Sequence, residues 1–274
     1  MNKIIFSLRH FFTHKDFLPD VSQIPGTLYT PMQIFLEILF LGFIVWGAIW
    51  LSKKQTYIKT VLTGIWMTLV LWEVAIDVWD SLAGARNAFD LRNSLPLYPC
   101  SLFMFMLPLV IWGKGLLREM AYGYICTLGL AGALINFLYP IARLQDYSCI
   151  SFPAFHTFFY HGSMLFAALF LLMAGMHRLH QFEHWWVPFL ASVPGLIFSI
   201  PANLVNYSKI SSDYMYFTGQ HMLAKTILGT NVSPVKCTVI MYLIYLFGPV
   251  LFYLLPWGTL KIIKKYNIFF LERQ

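Results

Sequence analysis

The sequence predicts an all-α fold: a polytopic membrane bundle of about seven transmembrane helices. Of its 274 residues, 58% are hydrophobic and only 11% are charged, whereas soluble domains carry about 25% charged residues. Apolar runs of roughly twenty residues, the length that crosses a bilayer, also follow one another along the chain. The net charge of +7 is typical of basic loops that flank membrane spans, so it does not indicate nucleic-acid binding.

The chain divides into a short lead-in and one membrane domain. Residues 1–31 predict an N-terminal interfacial segment, because aromatic and charged residues are mixed there ahead of the helix-breaking pair Pro25-Gly26. Residues 32–274 predict a single seven-helix transmembrane domain without an internal repeat. The predicted spans are 32–51, 57–79, 97–112, 120–140, 153–176, 185–207 and 237–260.

Basic loop residues give an expected orientation. Lys and Arg are almost equally numerous on the two sides, but the side with the C-terminus concentrates them in short loops. Short loops are where positive charge sets topology most strongly. We therefore expect the N-terminus outside and the C-terminus in the cytoplasm.

Polar side chains within apolar spans indicate a functional cavity, because they are costly in a bilayer. Glu73 and Asp77 are four residues apart and share one face of the second span. Seven alternating spans bring the relevant ends of the second, fifth and sixth spans to one side of the membrane. The polar residues at those ends are Glu73, Asp77, His156, His161, Asn203, Asn206 and Tyr207.

The stretch LPLYPCSL, residues 95–102, begins the third span on the same side. Pro96 and Pro99 suit a first helical turn, so Cys100 lies near a helix N-terminus, close to Tyr98. Free N–H groups and the positive end of the helix dipole favour a reactive thiolate there. The purely structural alternatives are a buried cysteine as filler, a structural carboxylate pair and asparagines that join helices.

The same stretch resembles the LPLHLC-type signature of the YwaF-like integral membrane proteins of bacteria. That family is related to a eukaryotic multi-pass family with an acyltransferase that makes arachidonoyl ether phospholipids. Pro99-Cys100 matches the Pro-Cys pair of the eukaryotic signature, with Ser101 in place of the following His and Tyr98 in place of the bacterial His. Residues 129–140, 155–162 (FHTFFYHG) and 203–207 are similar to further family motifs, so the resemblance covers roughly residues 60–210.

The resemblance implies a lipid acyltransferase of the bacterial plasma membrane, with Cys100 as the nucleophile that carries an acyl chain as a thioester. It also implies that His156 or His161 is the general base, and the residues suit this chemistry because an imidazole takes a thiol proton readily. Asp77 or Glu73 would orient the imidazole. The expected substrate is a membrane phospholipid or lysolipid, with no metal and no cofactor. The expected substrate-binding residues are Glu73, Tyr98, Asn203, Asn206 and Tyr207.

Two other function classes remain open. One is a binding or transport protein with an intramembrane carboxylate–histidine site. The other is a metal-dependent membrane hydrolase whose histidines and carboxylates hold zinc. A disulfide at Cys100 would exclude the nucleophile, and the four cysteines leave that pairing open.

Overall fold

The computed structural model describes residues 3–83, 97–181, 184–206, 213–217, 225, 228–229 and 232–265. These residues form helices and turns, with no strand among them. The membrane helices are α2 (Pro31–Ser52), α3 (Ile58–Leu82), α4 (Pro99–Trp112), α5 (Gly115–Tyr124) with α6 (Leu130–Leu138), α8 (Phe152–Met173), α9 (Val187–Asn206) and α10 (Pro234–Lys265). Two short helices, α1 (Lys3–Arg9) and α7 (Ile141–Leu144), lie outside them.

This architecture confirms the predicted helical bundle. Six helical segments in the described ranges are long and apolar enough to cross a membrane, and α4 is a shorter apolar helix. With 14 residues, α4 is about 21 Å long, less than the roughly 30 Å of a bilayer core. The chain is therefore an integral membrane protein with six long helices and one short one.

The fourth span begins earlier than its prediction. A π-helical turn, Ile125–Gly129, joins α5 to α6, and the combined span runs over Gly115–Leu138. The sequence prediction began at residue 120, because Arg118 and Glu119 interrupt the apolar run. The helix includes these charges in its first turns, since backbone hydrogen bonds continue there regardless of side-chain polarity.

Helix α8 is the packing centre. It contacts α2, α3 and α6, and its buried face carries Tyr160, Met164 and Leu171. Gly162 permits the close approach of α2, because a Cβ atom there would lie 2.5 Å from the ring of Phe40.

The N-terminal segment packs on the end of α3 and α8. The Ser7 and Ser148 hydroxyls are 2.8 Å apart, and the Phe152 N–H donates to the Phe11 carbonyl over 2.8 Å. The Trp79 indole N–H donates to the Phe12 carbonyl over 3.0 Å. The segment therefore covers the ends of the two helices that carry the predicted carboxylates and histidines.

Candidate functional site

Cys100 lies in the first turn of α4. Tyr98 precedes the helix with extended backbone, and Pro99 is the first helical residue. The thiol is free and partly buried. Its sulfur interacts with the N–H groups of Cys100 and Ser101 and with the Ser101 hydroxyl. These donors, together with the helix dipole, would stabilise an oxyanion at this position.

Tyr160 connects Cys100 to the carboxylates, and sequence analysis did not single it out. Its side chain is only 2% exposed, so its hydroxyl must find its partners within the protein. The hydroxyl donates to the Cys100 carbonyl over 3.3 Å and also interacts with the Glu73 carboxyl. The carboxyl also interacts electrostatically with the Cys100 thiol.

The acidic face of α3 is present as the i, i+4 spacing predicts. Asp77 interacts electrostatically with Glu73. One turn further, Asp80 is buried and forms an ion pair with Arg143, with 3.8 Å between Oδ2 and Nη2. Arg143 also acts electrostatically on Glu73. This end of α3 therefore holds three acidic side chains and one arginine in a single network.

Both histidines lie next to Tyr160. The His156 ring is 5.7 Å from the Tyr160 ring and 6.3 Å from that of Trp72. Its buried Nε2 has no hydrogen-bond partner among the described residues. The His161 ring is 5.7 Å from Tyr160, and its Nδ1 is 2.9 Å from the Thr157 carbonyl.

The tautomer of His161 follows from this contact. A carbonyl oxygen only accepts, so Nδ1 of His161 carries the hydrogen and Nε2 keeps its lone pair for proton transfer. Neither His156 nor His161 forms a hydrogen bond with the Cys100 thiol in the described part of the chain. The two imidazoles are therefore grouped around Tyr160, and Tyr160 bonds to Cys100 through the backbone carbonyl.

A short buried segment, Asp213–Phe217, covers the site beside Tyr98, and we call it the roof segment. The Tyr98 ring is 5.3 Å from Tyr214 and 5.7 Å from Tyr216, and the Tyr98 hydroxyl accepts from the Asp213 N–H over 3.4 Å. Within this segment, Tyr214–Tyr216 form a short 3-10 helical turn.

The backbone of the roof segment is strained and held by side chains. Met215 and Tyr216 have φ of 54° and 59°, in the left-handed region where a side chain costs energy. Four consecutive carbonyls accept hydrogen bonds from side chains, which offsets this strain. The donors are Asn203 to Tyr214 (2.8 Å), Tyr245 to Met215 (3.3 Å), Cys237 to Tyr216 (2.9 Å) and Thr238 to Phe217 (3.0 Å).

The Asn203 side chain forms hydrogen bonds with the backbone of the roof segment. Its amide nitrogen donates to the Tyr214 carbonyl, and its amide oxygen accepts from the Tyr214 N–H, each over 2.8 Å. The remaining predicted substrate-binding residues are only partly covered: α9 ends at Asn206, whose side chain lies outside the described residues, as does all of Tyr207.

Tyrosines dominate the surroundings of the thiol. Five of them interact electrostatically with Cys100: Tyr98, Tyr124, Tyr160, Tyr216 and Tyr245. The Tyr124 hydroxyl also donates to the Pro99 carbonyl over 2.6 Å. Tyr124 and Tyr160 thus both donate to carbonyls of the turn that carries the thiol.

An apolar groove of about 260 Å³ lies on the bundle surface between α2 and α8, with Phe40, Phe155 and Phe159 in its wall. Its one acidic lining residue is Glu37, whose carboxylate accepts a hydrogen bond from Gln33. The Phe159 ring stacks 5.6 Å from Trp72, and Trp72 in turn contacts His156. One layer of aromatic rings therefore separates the groove from the histidines.

His177, which follows α8, lies at the other end of the bundle and is buried. Its Nε2 is 2.8 Å from the Tyr253 hydroxyl, and its ring is 6.3 Å from that of Tyr122. Burial, with a smaller contribution from His184, lowers the pKa of His177 to about 4. The imidazole is therefore neutral at physiological pH.

Two alternatives left open by the sequence can be compared with these contacts. All four cysteines are free, so Cys100 is not in a disulfide. Among the described residues, no three His, Cys, Asp or Glu side chains are grouped closely enough to hold a metal ion.

Comparison with known proteins gives one match. A family model described as the TMEM164 family matches residues 26–263, a range that includes every described residue of the site. No curated protein and no solved structure matches the chain.

Proposed function

The chain belongs to the TMEM164 family of membrane proteins, and from this premise and the contacts of Cys100 we propose that it is a membrane-embedded acyltransferase. It would move a fatty acyl chain between phospholipids through a thioester on Cys100. The sequence resemblance to YwaF-like proteins and their eukaryotic acyltransferase relatives supports the same activity.

One observation carries the proposal: the Cys100 sulfur lies at a helix N-terminus with several donors around it, near the Glu73 carboxyl. The Cys100 and Ser101 N–H groups and the Ser101 hydroxyl interact with the sulfur, and Tyr160 joins this turn to Glu73. An acyl-transfer nucleophile needs such donors for its thiolate and for the oxyanion that follows.

The first step forms the thioester. A base takes the proton of the Cys100 thiol, and the sulfur attacks the ester carbonyl carbon of the donor lipid. The C–S bond forms, the ester C–O bond breaks, and the leaving alkoxide takes back the proton to give a lysolipid. In the second step the hydroxyl of an acceptor lysolipid attacks the thioester. The C–S bond breaks, and the proton of that hydroxyl returns to the sulfur.

The roles of the neighbouring residues follow from their contacts. His156 and His161 are the candidate bases, since each has an Nε2 without a hydrogen bond to a described residue. Glu73, with Asp77 beside it, holds Tyr160. We propose that Tyr160 couples the Glu73 and Asp77 carboxyls to the first turn of α4, because its hydroxyl contacts both Glu73 and that turn. We also propose that Tyr98 and the roof segment enclose the acyl chain.

Membrane location suits this chemistry. Cys100 belongs to the first turn of the short helix α4, and the ester carbonyls of a phospholipid lie near the boundary between headgroups and acyl chains. We propose the orientation expected from the loops, with the N-terminus and this end of the bundle outside.

A transfer assay in proteoliposomes tests the proposal. The donor is a phospholipid with an isotope-labelled acyl chain, the acceptor is an unlabelled lysolipid, and the readout is labelled diacyl product. We expect Cys100→Ala to abolish transfer. The matched control Cys126→Ala, at a second free cysteine that is fully buried, should retain it. Equal transfer by both variants would remove the nucleophile and leave the carboxylate–histidine cluster as a binding site.

A further inference from the structure

Arg143 is a charged residue of the site whose hydrogen-bonding capacity is largely unused. It lies in the short helix α7, Ile141–Leu144, between the end of α6 and the start of α8. Its side chain is 26% exposed, so the guanidinium is partly buried and still reachable. This places the charge at the end of the bundle that holds Cys100.

Within the described ranges, Arg143 has an ion pair but no side-chain hydrogen bond. The closest approach to Asp80 is 3.8 Å, which is too long for a hydrogen bond. No described residue accepts a hydrogen bond from the guanidinium. An arginine presents five N–H donors in a planar fork, so this fork is available to an external acceptor.

The fork suits one class of ligand. A guanidinium binds phosphate or carboxylate through paired hydrogen bonds, and it is weakly hydrated enough to do so in a partly buried site. Asp80 makes only the long contact just described, so it does not take up the paired donors of the guanidinium. The described residues therefore leave the fork open to an acceptor from a ligand.

Arg143 is also coupled to the proposed acyl-transfer groups. Its charge acts on both Glu73 and His156, so a ligand on the guanidinium would lie next to the site. Helix α7 connects two membrane spans, α6 and α8, so it lies where a span leaves the apolar region. A phospholipid bound there would have its phosphate at α7 and its ester groups further along the bundle, toward Cys100.

We infer that Arg143 binds the phosphate of the lipid headgroup and selects phosphate-bearing lipids over neutral glycerolipids. The inference rests on the proposed function for the identity of the site, but it concerns binding and can be tested without turnover. Asp80 takes the position of a counter-ion that the phosphate displaces.

The experiment measures binding to purified full-length protein in neutral detergent, with Cys100→Ala as the background so that no lipid is consumed. The two probes are lysophosphatidic acid and a monoacylglycerol with the same acyl chain, which differ only in the phosphate. We expect the phosphate-bearing probe to bind about 10- to 100-fold more tightly, the range for hydrogen bonds to a charged group.

Three variants test whether Arg143 is the source of the preference for the phosphate-bearing probe. Arg143→Gln should bind both probes alike, and Arg143→Lys should keep part of the preference, because it retains the charge without the fork. Lys15→Gln is the matched control: Lys15 is a cation at the same end, paired with Asp146 over 3.3 Å, and its loss should leave the preference intact. Unchanged monoacylglycerol binding shows that each variant is folded.

The result that overturns the inference is an undiminished preference in Arg143→Gln, or no preference in the Cys100→Ala parent. Inorganic phosphate is added as a competitor. Competition at millimolar concentration would identify a site for free phosphate instead of a lipid headgroup and would also contradict the inference. Because all binding is measured without Cys100, these outcomes are independent of whether the protein transfers acyl chains.

Discussion

Replacing Tyr160 with Phe removes one oxygen atom and two interactions of the candidate site. The hydroxyl donates to the Cys100 carbonyl over 3.3 Å and interacts with the Glu73 carboxyl. The side chain is only 2% exposed, and a phenylalanine ring would keep the same packing. A buried polar group that loses its partner costs about 1–3 kcal/mol. With two partners affected, we expect Tyr160→Phe to lower the free energy of unfolding by about 2–4 kcal/mol.

Tyr124→Phe is the matched control. Tyr124 is also fully buried in the site, but its hydroxyl has one partner, the Pro99 carbonyl, at 2.6 Å. Its loss should cost about 1 kcal/mol. Both variants are measured by unfolding in mixed detergent and SDS, and for each we would also follow the rate of acyl transfer, which should fall further in Tyr160→Phe.

A double-mutant cycle with Glu73→Gln tests the reasoning itself. Tyr160→Phe and Glu73→Gln should be coupled by about 1 kcal/mol, as residues within one hydrogen-bond network are. Tyr124→Phe and Glu73→Gln should be additive. Equal costs for the two tyrosine variants, together with no coupling to Glu73, would refute the view that Tyr160 links the carboxylates to the Cys100 turn.

Three further predictions concern other parts of the bundle. Gly162→Ala should destabilise the protein by about 1–3 kcal/mol, because the added Cβ would lie 2.5 Å from the Phe40 ring. Gly64→Ala is the control: a Cβ added there meets no neighbouring atom within 4 Å, so the stability should be unchanged or slightly raised. Asn203→Ala should lower the thermal unfolding temperature and slow acyl transfer, because it unpairs both backbone groups that hold the roof segment. Stability should fall as pH drops from about 6.5 to about 4, because the folded pKa of His177, about 4, lies below its unfolded value and the unfolded chain binds the proton first. His177 accounts for about 3 kcal/mol of this loss in the free energy of unfolding at most. His177→Gln should therefore lose less stability in acid. A stability–pH curve identical to that of the unmodified protein would contradict the assignment to His177.

Sequence analysis predicted the helices well, because a bilayer imposes a length on each apolar run. The predicted spans 32–51 and 153–176 correspond to Pro31–Ser52 and Phe152–Met173. The grouping of Glu73 and Asp77 near Cys100 could also be predicted, since alternating spans place chosen helix ends on one side. Both the i, i+4 spacing along a helix face and the alternating direction of successive spans can be read from the sequence.

The contacts that connect the site could not be predicted in the same way. Tyr160 looks like one of many aromatic core residues, and its only signal is that it lies four residues after His156 on the same helix face. The two left-handed residues of the roof segment are not glycines, so no turn motif marks them. In the sequence, Arg143 looks like any basic loop residue, because its partner Asp80 is distant along the chain.

The central claim is that Cys100 carries an acyl chain, and peptide mass spectrometry of the purified protein after incubation with phospholipid tests it most directly. We expect an acyl adduct on the peptide that contains Cys100. The adduct should be removed by hydroxylamine, as thioesters are, and should be absent from Cys100→Ala. An unmodified Cys100 in protein that still turns over lipid would contradict the account.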